Sequence, residues 1–211
     1  MKQAERAAEI QTIKEWLGAG SINIFGLPFA GKDTHGEELA EKLDGIILSG
    51  GDILRSSIIP EEGRKLMDAG HLFPTDDFVK IVLPYLSHSE FAGKPLILSS
   101  VGRWHGEEQG VLQATHESGH ELKAVIFLHV DQSVALERWE LSQQNMSRGE
   151  RADDAHHTLD TRFEEFAIKT LPVIDFYRDK GLLIEVDGTL PIARVSQDII
   201  DKLVEFSQKK S

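Results

Sequence analysis

Seven consecutive residues, Gly26-Leu27-Pro28-Phe29-Ala30-Gly31-Lys32, have the composition of an anion cradle. Glycines bracketing such a loop let its backbone N–H groups turn inward around phosphate oxygens, and a lysine at its end adds a mobile positive charge. The chain resumes after the loop with a helical pattern, so the positive end of that helix points at the same anion. An ordinary strand–turn–helix unit would explain the glycines but not a lysine at the mouth of the helix. A second chemical pattern, His116-Glu117-Ser118-Gly119-His120, formally fits a zinc hydrolase motif. That chemistry needs both imidazoles on one stable helical turn. Gly119 lies between them and an apolar run begins at Ala124, so the helix is expected to end there and the zinc reading to fail. The adjacent His156-His157 pair reads as two ordinary polar residues on a helical surface.

Charged residues also recur just after apolar runs. The runs are Ile22–Phe25, Ile46–Leu48, Leu96–Leu98, Val125–Val130 and Leu182–Val186, separated by helical patterns. Such alternation predicts a parallel sheet covered by helices, with ligands bound beyond the carboxyl ends of the strands. Those ends are followed by Lys32, by Ser49-Gly50-Gly51-Asp52 with Arg55, by Ser99-Ser100 with Arg103, and by Asp131. Between the second and third runs, residues 52–93 carry helical patterns near Asp52–Ile59, Glu61–Ala69 and Thr75–Leu86 and no strand signal, which predicts a helical insertion over the strand ends. Ahead of the first run, Ala7, Ile10, Ile13 and Leu17 lie at helical spacing before Gly18 and Gly20. This helix is expected to pack on the sheet edge or on a partner chain.

The 211 residues suffice for one α/β domain: an N-terminal helix over 1–20 and a single domain over 21–211. With 35 acidic and 23 basic residues, a net charge of −12 argues against nonspecific binding to nucleic acid or an anionic membrane. Any anionic substrate must then be held by a local group of cations. The absence of cysteine excludes thiol and disulfide chemistry. The charged N-terminal segment is unlike a signal peptide and no run is long enough for a membrane span, so a cytoplasmic, monomeric protein is expected.

The segments GLPFAGKDT, GDILR, SSVGR, RGERADD, TLDTRF and PVIDFYRDKGLLIEVDG, in this order, resemble an adenylate kinase-type nucleoside monophosphate kinase from about Ser21 to Leu203. The resemblance implies a P-loop NTPase-like three-layer sandwich with a five-stranded parallel sheet, a nucleoside monophosphate (NMP)-binding insertion at about 52–93 and a short lid at about 139–161. It implies magnesium-dependent transfer of the γ-phosphoryl of ATP to an NMP, AMP first among them, with closing of the insertion and lid. On the ATP side it assigns Gly26, Ala30, Gly31, Lys32, Asp33 and Thr34, with Arg138 on the donor base and Val186-Asp187-Gly188-Thr189 framing that base. On the acceptor side it assigns Gly50, Asp52, Arg55, Arg103 and Glu107. Lys32, Arg103, Arg148, Arg151 and Arg162 are the implied catalytic cations, with Asp153-Asp154 orienting the lid arginines. Transfer spreads negative charge over the phosphoryl oxygens and needs positioned cations rather than a covalent nucleophile, which suits this set.

Four positions depart from the family pattern. Asp33 replaces the glycine that usually follows the lysine, and Ser99 stands where the family has a metal-side aspartate. The two changes are expected to be linked, Asp33 supplying the magnesium-side carboxylate that Ser99 lacks. Gly50 replaces a hydroxyl residue and Glu107 a glutamine. An ionised glutamate only accepts hydrogen bonds, which suits guanine better than adenine. GMP or a pyrimidine monophosphate is therefore an open acceptor, and a nucleotide-binding pseudokinase is the alternative without turnover.

Overall fold

A computed structural model describes residues 2–145 and 156–210. Five strands, β1 (Ser21–Gly26), β2 (Ile46–Ser49), β3 (Leu96–Ser99), β4 (Leu122–His129) and β5 (Leu183–Asp187), form one sheet in the order β2-β3-β1-β4-β5. Every pairing is parallel. The strands read as continuous apolar runs because helices cover both faces. Ile22, Ile24, Phe25, Leu96, Ile97, Leu98, Val125 and Ile126 are all fully buried. The expected α/β architecture, parallel sheet and five strands are all present, with β4 starting three residues earlier than its apolar run. Central β1 is the point at which the chain switches sides, since β2 and β3 lie on one flank and β4 and β5 on the other. Such a switch opens a crevice at the strand ends.

The helices are α1 (Lys2–Leu17), α2 (Lys32–Leu43), α3 (Gly50–Ser56), α4 (Glu61–Asp68), α5 (Thr75–Tyr85), α6 (Glu108–Glu117), α7 (Gln132–Asn145), α8 (His156–Glu165), α9 (Leu171–Asp179) and α10 (Ile192–Lys210). One π turn, Phe166–Thr170, joins α8 to α9. The segment between β2 and β3 holds only helices, as expected. Its first helix differs from expectation, beginning at Gly50 and stopping at Ser56 instead of running to Ile59. Ser49 caps the start, its side chain accepting from the Asp52 N–H, while Pro60 keeps the residue before it out of helical geometry. No expectation covered α10.

Helix α1, expected on the sheet edge or on a partner chain, lies against α10 and α2 of its own chain. Ile13 and Leu17 are fully buried, Trp16 meets Phe206 edge-on at 6.0 Å, and Arg6 pairs with Asp201 at 3.0 Å. Lys123 at the start of β4 donates to the Trp16 carbonyl at 2.6 Å, capping the end of α1. On the opposite side, Tyr177 of α9 is fully buried against Phe25, and its hydroxyl has no hydrogen-bond partner among the described residues. Burial, with Glu108 and Glu107 nearby, pushes that phenol well above its usual range. The zinc pattern fails as expected: α6 ends at Glu117, and His120 is buried beyond it with Nδ1 2.8 Å from the Ala19 carbonyl. Among the described residues no helix is long and apolar enough to cross a membrane.

Candidate active site

The phosphate loop leaves the buried end of β1 and turns through two left-handed residues, Phe29 at φ 63° and Gly31 at φ 98°. Gly31 is the residue before α2 and offers no side-chain cap, and the N-terminus of a helix is where backbone N–H groups can meet an anion. Lys32 folds back over the loop, donating from Nζ to the carbonyls of Gly26 at 3.0 Å and Leu27 at 2.8 Å. These bonds hold the ammonium across the cradle. Gly26 admits the close approach of β4, since a Cβ there would lie 2.9 Å from the Leu128 carbonyl.

Asp33 occupies the first turn of α2 and Ser99 the end of β3, and the Ser99 hydroxyl donates to the Asp33 carboxylate at 2.8 Å. Two residues separated widely in sequence, both singled out as departures, are therefore in direct contact. Next to them Lys32, Arg55, Arg103 and Arg162 line one cavity with Gly51, Ser99 and Ser100. Arg55 is held through Nη2 at 2.6 Å from Asp52, one helical turn away. The guanidinium of Arg162 lies 5.8 Å from the Phe29 ring of the phosphate loop. A smaller pocket adjoins this cavity, lined by Gly50, Phe73, Phe78, Trp104 and Glu107. Glu107 is 3% exposed and accepts from the Trp104 N–H at 3.0 Å. Burial raises its pKa above the usual carboxylate range, opposed by the Trp104 amide, the Thr75 hydroxyl and Arg103.

A second cleft, of about 1020 Å³, runs along α2 from Arg138 and Thr189–Ile192 past Thr34 to Asp52. Arg138 joins its walls, donating to the Ala30 carbonyl at 3.1 Å and the Gly188 carbonyl at 2.7 Å. It lines this cleft and not the cavity of Arg55, Arg103 and Arg162, while the loop after β5 lies against it. Arg148, Arg151, Asp153 and Asp154 lie outside the described residues.

A family model described as adenylate kinase matches residues 24–182, well over half the chain. The chain belongs to the adenylate kinase family. It is 31% identical over 190 residues to the adenylate kinase of Nitrobacter hamburgensis, covering 86% of this chain and 91% of that protein. Identity reaches 34% over 170 residues with the adenylate kinase of Corynebacterium glutamicum strain R, covering 78% and 90% respectively. With the adenylate kinase of Beijerinckia indica it is 33% over 190 residues, covering 86% and 97%. Membership makes the chain an ATP-dependent phosphotransferase of the nucleoside monophosphate kinase class.

Several residues that shape this adenylate kinase-family site were not among the sequence candidates. Asn23, in the middle of β1, is fully buried; its side-chain amide donates to the Val101 carbonyl at 2.7 Å and accepts from the Val101 N–H at 3.3 Å. That clip fixes the turn after β3, where Ser100 adopts φ 54° and from which Arg103 projects into the cavity. Thr170 of the π turn donates to the Arg103 carbonyl at 3.0 Å, and Lys169 lies 3.7 Å from the Trp104 ring. Glu165 accepts from the Leu72 N–H at 3.1 Å and pairs with His71 at 3.2 Å, tying the insertion to α8. The one sequence signal was Asn23, a lone amide inside an apolar run.

Proposed function

We propose that this protein transfers the γ-phosphoryl group of ATP to a nucleoside monophosphate, with AMP as the acceptor and magnesium accompanying the donor. The single observation that carries the reading is the convergence of Lys32, Arg55, Arg103 and Arg162 on one cavity at the end of the phosphate loop. A protein that only bound a nucleotide would need the loop and Lys32, but has little use for three guanidinium groups from α3, the β3–α6 turn and α8. In this reading Lys32 and the start of α2 hold the donor phosphates. Arg55 exchanges Asp52 for the acceptor phosphate, which Arg103 grips from the other side with its fixed fork of donors. An acceptor phosphate oxygen forms a bond to the γ-phosphorus as the bond to the β–γ bridging oxygen breaks, that oxygen leaving with its electron pair on ADP. Arg162, with Arg148 and Arg151, compensates the charge that spreads over the transferring group.

The residues near the donor phosphates fit a magnesium ion. Asp33, the Thr34 hydroxyl and the Ser99 hydroxyl are all hard oxygen donors, and this ion commonly takes one or two carboxylates and leaves its other positions to phosphate and water. Asp33 would hold it, and when bound it would supply positive charge to the donor phosphates. Helices α3 to α5 are the part expected to close over the acceptor, excluding water so that ATP is not hydrolysed.

AMP as acceptor rests on family likeness. A second reading, GMP, is favoured by the buried carboxylate of Glu107 in the adjoining pocket, because an acceptor-only group matches a base edge with two donors. Initial rates with ATP, magnesium and each of AMP, GMP, CMP and UMP test both. A preference for AMP is the expected result. Transfer to none of the four would overturn the kinase reading in favour of a nucleotide-binding protein without turnover.

A further inference from the structure

The phosphate loop opens with a tight turn, closed by the Ala30 N–H donating to the Leu27 carbonyl at 3.1 Å, with Pro28 and Phe29 between them. A four-residue turn with proline in second place and a positive φ in third is of type II, whose third place favours glycine or asparagine. Phe29 occupies it at φ 63°, a conformation that strains a bulky side chain. Strain of this kind persists only where the surroundings hold it, and it gathers at functional sites. The side chain so projected is 8% exposed and lines both the large cleft and the arginine-lined cavity. Over its ring lies the guanidinium of Arg162, whose central carbon is 5.8 Å from the ring centre. The stem of the same arginine packs on Gly70 of the insertion, where a Cβ would lie 3.1 Å from Arg162 Cγ and 2.8 Å from the Thr158 carbonyl. Arg162 is thus met at its stem by the insertion and at its head by the phosphate loop.

We infer that Phe29 is a positioning residue for phosphoryl transfer, its ring seating the Arg162 guanidinium at the junction of the two clefts so that the charge is in place when the transferring group arrives. This rests on reading the arginine-lined cavity as the place of transfer. The face of an aromatic ring attracts a guanidinium through its quadrupole and occupies none of its N–H donors. The contact at the ring therefore does not compete with a phosphate for those donors, whereas Arg55 is held by Asp52 through a donor that it must give up. A cation already oriented loses less conformational freedom as negative charge spreads over the transferring group, so its benefit falls on the transition state. Burial alone would ask only for an apolar side chain of this size, and only the seat for Arg162 asks for an aromatic face.

The test is a double-variant cycle on the full chain, read by steady-state kinetics with ATP, magnesium and the monophosphate that reacts fastest in the panel above. Phe29→Leu keeps an apolar side chain and the strained backbone but removes the ring face. Its kcat is expected to fall about fivefold, the scale of one partly exposed cation–π contact, with both KM values within about twofold. Phe29→Met, a second ring-free side chain, should fall alike, while Phe29→Tyr should keep most of kcat. Titration calorimetry with a non-hydrolysable ATP analogue should give Phe29→Leu the affinity of the unsubstituted chain, showing that the loop still forms. In an Arg162→Ala background, Phe29→Leu should cost nothing further, because the group that it positions is gone. Full kcat in Phe29→Leu and Phe29→Met, a loss in Phe29→Tyr as large as theirs, a parallel loss of analogue affinity, or an undiminished second loss in the Arg162→Ala background would overturn the inference. Unchanged kcat in Arg162→Ala alone would instead sink the reading of this cavity as the place of transfer.

Discussion

Lys32 and Arg103 illustrate how differently two cations at one site are held. Lys32 is tied to the carbonyls of its own loop, whereas Arg103 depends on a turn fixed from below by Asn23 and from the side by Thr170. Replacing Arg103 with lysine keeps the charge and removes the planar fork. Its kcat/KM for the monophosphate is expected to fall about 100-fold, with analogue affinity in the large cleft unchanged, as steady-state kinetics and calorimetry would reveal. Asn23→Leu should act through stability. Both polar groups of Val101 lose a buried partner, at a cost of about 1–3 kcal/mol in urea unfolding, and turnover should decline because the Arg103 turn loosens. Lys32, Arg55 and Arg103 were legible in the sequence because each follows an apolar run, where a parallel sheet gathers its chemistry, whereas Arg162 was assigned only through the family resemblance. Asn23 showed only as a lone amide inside an apolar run and Thr170 not at all, since the importance of both arises from backbone groups that folding brings beside them. The link between Asp33 and Ser99 was legible only as a pair of departures; the bond between them required the fold.

At the scale of elements, one connection between insertion and body runs through Glu165, which holds the Leu72 N–H and His71 across from α8. Burial pushes its carboxyl up, but Lys169, the Leu72 amide and His71 outweigh that and hold its pKa below the usual range. A carboxylate depressed in this way stabilises the folded state above its unfolded pKa, and the contribution disappears as pH falls through the lower folded value. The stability difference between the native chain and Glu165→Gln should therefore be constant near neutrality. It should begin to close below about pH 4.3, the ordinary glutamate value, and vanish in stronger acid, as urea midpoints across pH would record. The same variant should raise the KM for the monophosphate more than that for ATP. Helix existence in the insertion was legible from spacing, but the end of α3 was not. Apolar Ile58 and Ile59 extend the helical pattern, while Pro60 and the capping of Ser49 decide the boundaries.

For the whole molecule, strand number and parallel direction followed from alternating apolar runs, but the order β2-β3-β1-β4-β5 did not. Order depends on which flank each crossover chooses, and local patterns carry little of that information. The packing partner of α1 was equally hidden, because α10 comes from the far end of the chain. That contact should be structural alone. Ile13→Ala removes a fully buried side chain at the α1 interface and should cost about 2–5 kcal/mol in urea unfolding, with both KM values unaltered. The phenol of Tyr177 points to the opposite kind of substitution. Its oxygen was stripped of water on folding and meets no partner among the described residues. Phenylalanine at that position would discard only an unmet donor, so the melting temperature should stay level or climb, and an ordinary-looking core aromatic would turn out to be a ready handle for strengthening the fold.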